Sequence, residues 1–186
     1  SIEHATYDGY SLCNFGDVVV VTLNHRLSVF GYLDLSDYGD EFKRSKNVGN
    51  LDLVAALKWV NKNIGYFGGD KDNVTLFGQS GGGIKVISVM NMPSAKGLFK
   101  AGMAMSGLEG TSNFSDHIID TKELVKATLE KLGITKENIY DIYKVNGRKL
   151  MDTYITTHKE RGGLGIPFFA PTANEDYLGN PIKYGF

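Results

Sequence analysis

The sequence predicts an α/β fold, a doubly wound and mostly parallel sheet, and three observations carry that prediction. Short apolar runs recur at Val18 to Leu23, Val74 to Phe77 and Ala101 to Met105. Longer stretches with apolar residues at helical spacing stand between them. Glycine-rich turns separate the two kinds of segment, and strands alternating with helices in this way are the mark of parallel sheets.

Taken in order, Gly16-Asp17 leads into Val18-Val19-Val20-Val21-Thr22-Leu23, apolar at nearly every position, as in a strand buried on both faces. A loop rich in Gly, Asp, Ser and Lys follows from Ser36 to Gly49, and its charged run Asp40 to Lys46 is expected to be exposed. Leu51, Val54, Ala55, Trp59 and Val60 recur at helical spacing up to Ile64, with Asn50 available as the N-cap. The paired glycines of Phe67-Gly68-Gly69-Asp70 break that helix. Val74 to Phe77 is the second strand and ends at Gly78. Ile84, Val86, Ile87, Val89 and Met90 then suit a largely buried helix ended by Pro93, and Ala101 to Met105 is a third buried strand running into Ser106-Gly107.

From about residue 115 the alternation stops. Leu124, Val125, Leu129 and Leu132 mark an amphipathic helix closed by Gly133. Thr135 is placed to cap a short helix through Tyr143, and a further helix spans Gly147 to about His158. The expected organisation is part of a single domain, with a sheet core over 1–114 and a helical insertion or lid-side region over 115–165.

Composition narrows the function classes. In 186 residues, 20 Lys and Arg face 21 Asp and Glu for a formal charge of -1, without long single-sign runs, so neither nucleic acid nor an anionic membrane is called for. Cys13 is the single cysteine, which excludes an internal disulfide and a cysteine-based metal site and fits a reducing compartment. The longest apolar run is too short to span a bilayer, and the expectation is a soluble, cytoplasmic protein. Gly68-Gly69 and Gly162-Gly163 lack the Lys-Ser/Thr ending of a phosphate loop, and no His and carboxylate pair has metal-ligand spacing on a helix. No cofactor and no metal are therefore expected. No methionine precedes Met90, and Ile182, Tyr184 and Phe186 leave the chain end apolar, which suggests an internal piece of a longer polypeptide.

The chemistry concentrates at Gly78-Gln79-Ser80-Gly81-Gly82. A serine hydroxyl needs a neighbouring base and a position clear of the backbone before it can attack a carbonyl. A strand, Gly-x-Ser-x-Gly, helix arrangement supplies that position on a strained turn, a nucleophile elbow. Ser80 is the expected catalytic nucleophile. Gly78 and Gly82 are expected to lack the β-carbons that would collide where strand meets helix, and the N–H of Gly81 is expected to donate to the oxyanion at the positive end of the following helix. An apolar strand before Gly78 and a largely apolar helix after Gly81 meet the motif's requirements, where an ordinary glycine turn would have polar flanks.

Around this motif the sequence resembles the type-B carboxylesterase and cholinesterase family of α/β-hydrolases. The likeness rests on Asn47-Val48-Gly49-Asn50-Leu51-Asp52, Ala56-Leu57-Lys58-Trp59-Val60, Asn63-Ile64, Phe67-Gly68-Gly69-Asp70 and Asp72 to Gly78. It extends to Tyr7-Asp8-Gly9, Val18 to Thr22, Asn24-His25-Arg26-Leu27, Gly31-Tyr32-Leu33, Phe99 to Gly107, and Phe168 to Leu178. The resemblance implies a serine esterase acting on small-molecule carboxylic esters through a Ser-Glu/Asp-His triad. It maps only Ser80 of that triad onto this chain and leaves the acid, the base and the oxyanion loop to the remainder of the polypeptide. The sequence departs from the family at Gln79, often Glu there, at Gly81, often Ala, and at His25, often Tyr.

Two alternatives stand beside this reading. One is a catalytically silent cholinesterase-like binding or adhesion protein, against which an intact Ser80 argues. The other is a smaller α/β-hydrolase complete in this chain, with His117 or His158 as base and Asp116, Asp141 or Asp152 as its partner; His4 and His25 precede Ser80 and break the usual chain order. Glu175 and Asp176 are expected in a solvated turn, Ser106 and Asp52 in structural roles, and Cys13 as an inert side chain.

Overall fold

The structure, a computed structural model, describes residues 7–107, 121–165, 167 and 169–179. His4, Asp116, His117, Phe168 and the terminal Ile182, Tyr184 and Phe186 lie outside the described residues. Within them the chain runs α1 (Tyr10–Gly16), α2 (Ser28–Tyr32), α3 (Val48–Asn63), β1 (Thr75–Gln79), α4 (Gly81–Met90), β2 (Ala101–Met105), α5 (Thr121–Lys131) and α6 (Gly147–Glu160). Single 3-10 turns lie at Asp40–Phe42, Ser45–Asn47, Ile64–Phe67, Pro93–Ala95 and Ile139–Lys144.

β1 and β2 pair in parallel, from Thr75 opposite Ala101 to Gln79 opposite Met105, and α4 lies on the crossover between them. Side chains alternate across a strand, so each strand presents two faces. α4 covers one: a β-carbon on Gly102 would stand 3.1 Å from Val86 and 3.3 Å from the sulfur of Met90. The other face carries Thr75, Phe77 and Gln79 beside Ala101, Met103 and Met105, and it is open, with Phe77 54% and Met103 55% exposed. The expectation that β2 is buried is thus corrected.

The expected strand Val18 to Leu23 is corrected as well. These residues form no strand, and Val18, Val19 and Val21 are exposed. A β-branched run becomes a strand only when a neighbouring backbone completes its ladder, and no described segment does so here.

Helix α3 begins at Val48, and Asn50 lies inside it instead of capping it. Asn50 Oδ1 accepts the Tyr32 hydroxyl at 2.7 Å, which ties α3 to α2. Asn47, at the helix entry, donates to the Thr172 carbonyl at 2.8 Å and accepts the Thr172 N–H at 2.9 Å. The helix ends through Gly68, whose φ of 81° is left-handed and favours glycine. In the helical region Gly133 follows α5 with φ 72°, and Asn146 caps α6 by accepting from the N–H groups of Arg148 and Lys149. Thr135 does not cap the next turn: Asn138 holds that position, and the Thr135 N–H donates to its Oδ1 at 2.6 Å.

Two apolar clusters hold the described chain together. Val54 and Leu57 of α3 meet Val89 of α4, with Met92, Ala95 and Tyr177, beneath the sheet unit. Leu124, Val125 and Leu129 of α5 meet Leu150 and Tyr154 of α6 over Val29, Leu33, Leu35 and Phe42. Phe42 is therefore buried within the charged run expected to be exposed, because its ring faces this second cluster.

Candidate active site

Ser80 sits between the last residue of β1 and the first of α4, exposed, with φ 54° and ψ -118°. That backbone region is costly for any residue with a β-carbon and persists only where the surroundings over-determine it. Here both sides are held. The Ser80 N–H donates to the Met105 carbonyl of β2 at 2.7 Å, and the Ser80 carbonyl accepts the Ile84 N–H of α4 at 3.1 Å. One bond prolongs the sheet and the other begins the helix, so the serine is bent outward at their junction.

Glycine is needed here for packing. A β-carbon on Gly78 would come within 2.5 Å of the Gly82 carbonyl carbon and oxygen, backbone atoms that cannot turn away. Gly82 differs from expectation: its own β-carbon would meet nothing within 4 Å, so it contributes close-lying backbone and needs no missing side chain. Two glycines that sequence reasoning passed over are tighter. A β-carbon on Gly83 would lie 3.1 Å from the Met105 carbonyl oxygen, and one on Gly107 would lie 2.6 Å from the Ile84 nitrogen. Three glycines in succession at a helix start were the available signal for Gly83, whereas nothing local marks Gly107. Ser106, at the end of β2 with φ 55°, and Ser28, with φ 58°, also have a positive φ.

Gly81 is the first residue of α4, where N–H groups lack helical partners and the helix dipole is positive. Gln79 is exposed and pairs with Met105 on the open face of the sheet. Beside α4, Lys85 donates from Nζ to the Gly81 carbonyl at 3.3 Å, and its partial burial lowers its proton affinity below that of an ordinary lysine. His25 Nδ1 donates to the Arg26 carbonyl at 2.9 Å; burial, and more weakly the Lys85 charge, hold its pKa below the usual histidine value. Asp52 accepts the Arg26 N–H and Nε at 2.9 Å each and its terminal nitrogen at 2.6 Å. These bonds from Arg26 keep the Asp52 carboxyl below the ordinary carboxylate range. Asp52 thus joins α3 to the segment before α2.

The remaining candidates are occupied elsewhere. His158, on α6, packs its ring against Gly163 and has Nδ1 buried without a hydrogen-bond partner. Helix α6 packs on α5 and α2, while α4, which follows Ser80, packs on β1, β2 and α3. Asp141 pairs with Lys144 at 2.6 Å, and Asp152 stands 3.9 Å from Arg148. Asp176 is not in a solvated turn: it is 8% exposed and accepts Arg44 Nε through both oxygens, at 3.0 and 2.9 Å, while Glu175 is exposed. Among the described residues no group of three or more His, Cys, Asp and Glu is placed to hold a metal ion, and no helix is long and apolar enough to cross a membrane.

This strand, strained serine and helix lie within a match to the carboxylesterase family that covers residues 2–184. The chain belongs to that family. It is 43% identical to para-nitrobenzyl esterase of Bacillus subtilis (strain 168), over 92% of this chain and 40% of that protein. An esterase from anaerobic Clostridium hathewayi that can hydrolyze aliphatic aromatic polyesters superposes with a TM-score of 0.85 at 43% identity, covering 97% of this chain and 36% of that one. A thermophilic PNB esterase superposes with a TM-score of 0.81 at 37% identity, over 95% and 35% respectively. The fold is therefore α/β of the esterase type, and this carboxylesterase-family chain spans about two fifths of the length of the first of these relatives.

Proposed function

We propose that the protein containing this chain hydrolyses small-molecule carboxylic esters through an acyl-enzyme on Ser80. The observation that carries the reading is the backbone of Ser80, held at φ 54° and ψ -118° between β1 and α4. Such stored strain belongs where a side chain must project for reaction. The Ser80 oxygen attacks the ester carbonyl and gives its proton to a base. The carbonyl oxygen becomes an oxyanion that accepts from the Gly81 N–H at the positive end of α4. Collapse breaks the carbon–oxygen bond to the alkoxide, which leaves as the alcohol with the proton from the base; water then attacks the acyl carbon, giving a proton to the same base, which passes it to the Ser80 oxygen as the acid departs.

Acid, base and the second oxyanion loop come, in this reading, from other parts of the same polypeptide. The greater length of the relatives supports this, as do the engagement of Asp141, Asp152 and Asp176 in ion pairs and the placing of the His158 ring against Gly163. The single cysteine favours an intracellular site of action. The test is to treat the full-length protein with a fluorophosphonate and map the adduct. Label on Ser80 that disappears in Ser80→Ala is expected, and an unlabelled Ser80 in folded full-length protein defeats the proposal.

A further inference from the structure

Lys85 is the one ionisable residue of α4, and β1 and β2 carry none. Its side chain turns back along the helix instead of reaching into water. Nζ donates to the Gly81 carbonyl, and a β-carbon on Gly81 would lie 3.9 Å from it. Among the described residues no carboxylate stands within ion-pair distance of it. A lysine partly withdrawn from solvent without an acidic partner is disfavoured unless its position does something.

The first turn of α4 is Gly81-Gly82-Gly83, where each glycine has more backbone freedom to lose than any other residue. Gly83 is confined by contact with β2 and Gly107, and Gly82 backbone lies against Gly78, but at Gly81 the β-carbon position meets only the Lys85 ammonium. The residue that follows Ser80 directly is therefore the one whose open side only Lys85 approaches.

We propose that Lys85 is a positioning residue that clamps the Gly81 carbonyl, fixing the Gly-Gly start of α4 so that the Gly81 N–H stays aimed at the oxyanion. The proposal rests on the ester-hydrolysis reading for its catalytic consequence, but the clamp itself is a property of the fold. The ammonium also adds positive charge to the helix end where negative charge develops. The titratable group its charge reaches is His25, on the segment before α2, and His25 in turn lies near Asp52 of α3, which Arg26 holds. Since burial lowers the proton affinity of Lys85, the clamp opens on the alkaline side below the usual lysine range.

The experiment compares full-length protein with Lys85→Met, Gly81→Ala and the double variant, by the rate of Ser80 phosphonylation by a fluorophosphonate and by amide hydrogen exchange over Gly82 to Val86. Lys85→Met should slow phosphonylation about ten-fold and quicken exchange about five-fold. Gly81→Ala, which stiffens the same turn, should reduce both effects of Lys85→Met to less than about two-fold. The alkaline fall in phosphonylation rate should vanish in Lys85→Met and move to higher pH in Lys85→Arg. Unchanged exchange in Lys85→Met, or an equal loss with and without Gly81→Ala, overturns the clamp. If exchange responds as expected but the unsubstituted protein takes up no phosphonate, the ester-hydrolysis reading fails and the clamp stands.

Discussion

Replacing Ser80 by glycine should make the protein more stable than replacing it by alanine, although both changes remove the hydroxyl. At φ 54° and ψ -118° a β-carbon is strained against its own backbone. A residue held in such a region costs about 1–3 kcal/mol. Glycine escapes that cost but loses about 0.5–1 kcal/mol through the greater freedom of its unfolded chain. The net advantage of Ser80→Gly over Ser80→Ala is therefore about 0–2.5 kcal/mol. Urea unfolding of the full-length variants checks it, with a higher midpoint for Ser80→Gly at unchanged slope. The comparison is independent of activity, since neither variant carries a nucleophile. A lower midpoint for Ser80→Gly would refute the inference that the turn stores strain at this residue.

Gly78→Ala should destabilise by about 1–3 kcal/mol and slow phosphonate uptake, because its β-carbon meets Gly82 backbone, whereas Gly82→Ala should gain up to about 1 kcal/mol from helix propensity; urea midpoints of opposite sign check the pair. Arg44→Ala leaves the buried Asp176 carboxylate unpaired and should cost about 1–3 kcal/mol, reduced from a fully buried pair because Arg44 is half exposed, and part of that loss should return in Arg44→Ala with Asp176→Asn. The Arg26 bonds lower the folded-state pKa of Asp52, so its contribution is fully present above the unfolded value of about 4 and is lost as pH falls through the lower folded value. The stability difference between the protein and Asp52→Asn should thus stay constant from neutral pH to about 5 and shrink only below about 4, as followed by unfolding at stepped pH.

How far the sequence could be read depended on the range of the interactions involved. The segment from Thr75 to Met105 was legible because strand, turn and helix each depend on neighbours a few residues away, and the apolar periods and glycines encode those neighbours directly. Asn50 misled because its position suits a cap, while its side chain is taken by Tyr32 from another helix. Asp176 looked like a turn acid, yet its partner Arg44 lies 132 residues away in the chain. Lys85 gave only the signal of one charge in an apolar helix, and its return to Gly81 requires coordinates to see.

The residues alone determined the αβ alternation, the position of the serine turn and the family likeness, because these follow from local sterics and from motif spacing. Only the tertiary structure decided which glycines of the turn must be glycine, that Val18 to Leu23 lacks a ladder, and that one face of β1 and β2 lies open. The reason is that a close contact or a ladder is made by two segments at once. Each segment's sequence records its own capacity for the contact but not the partner that completes it.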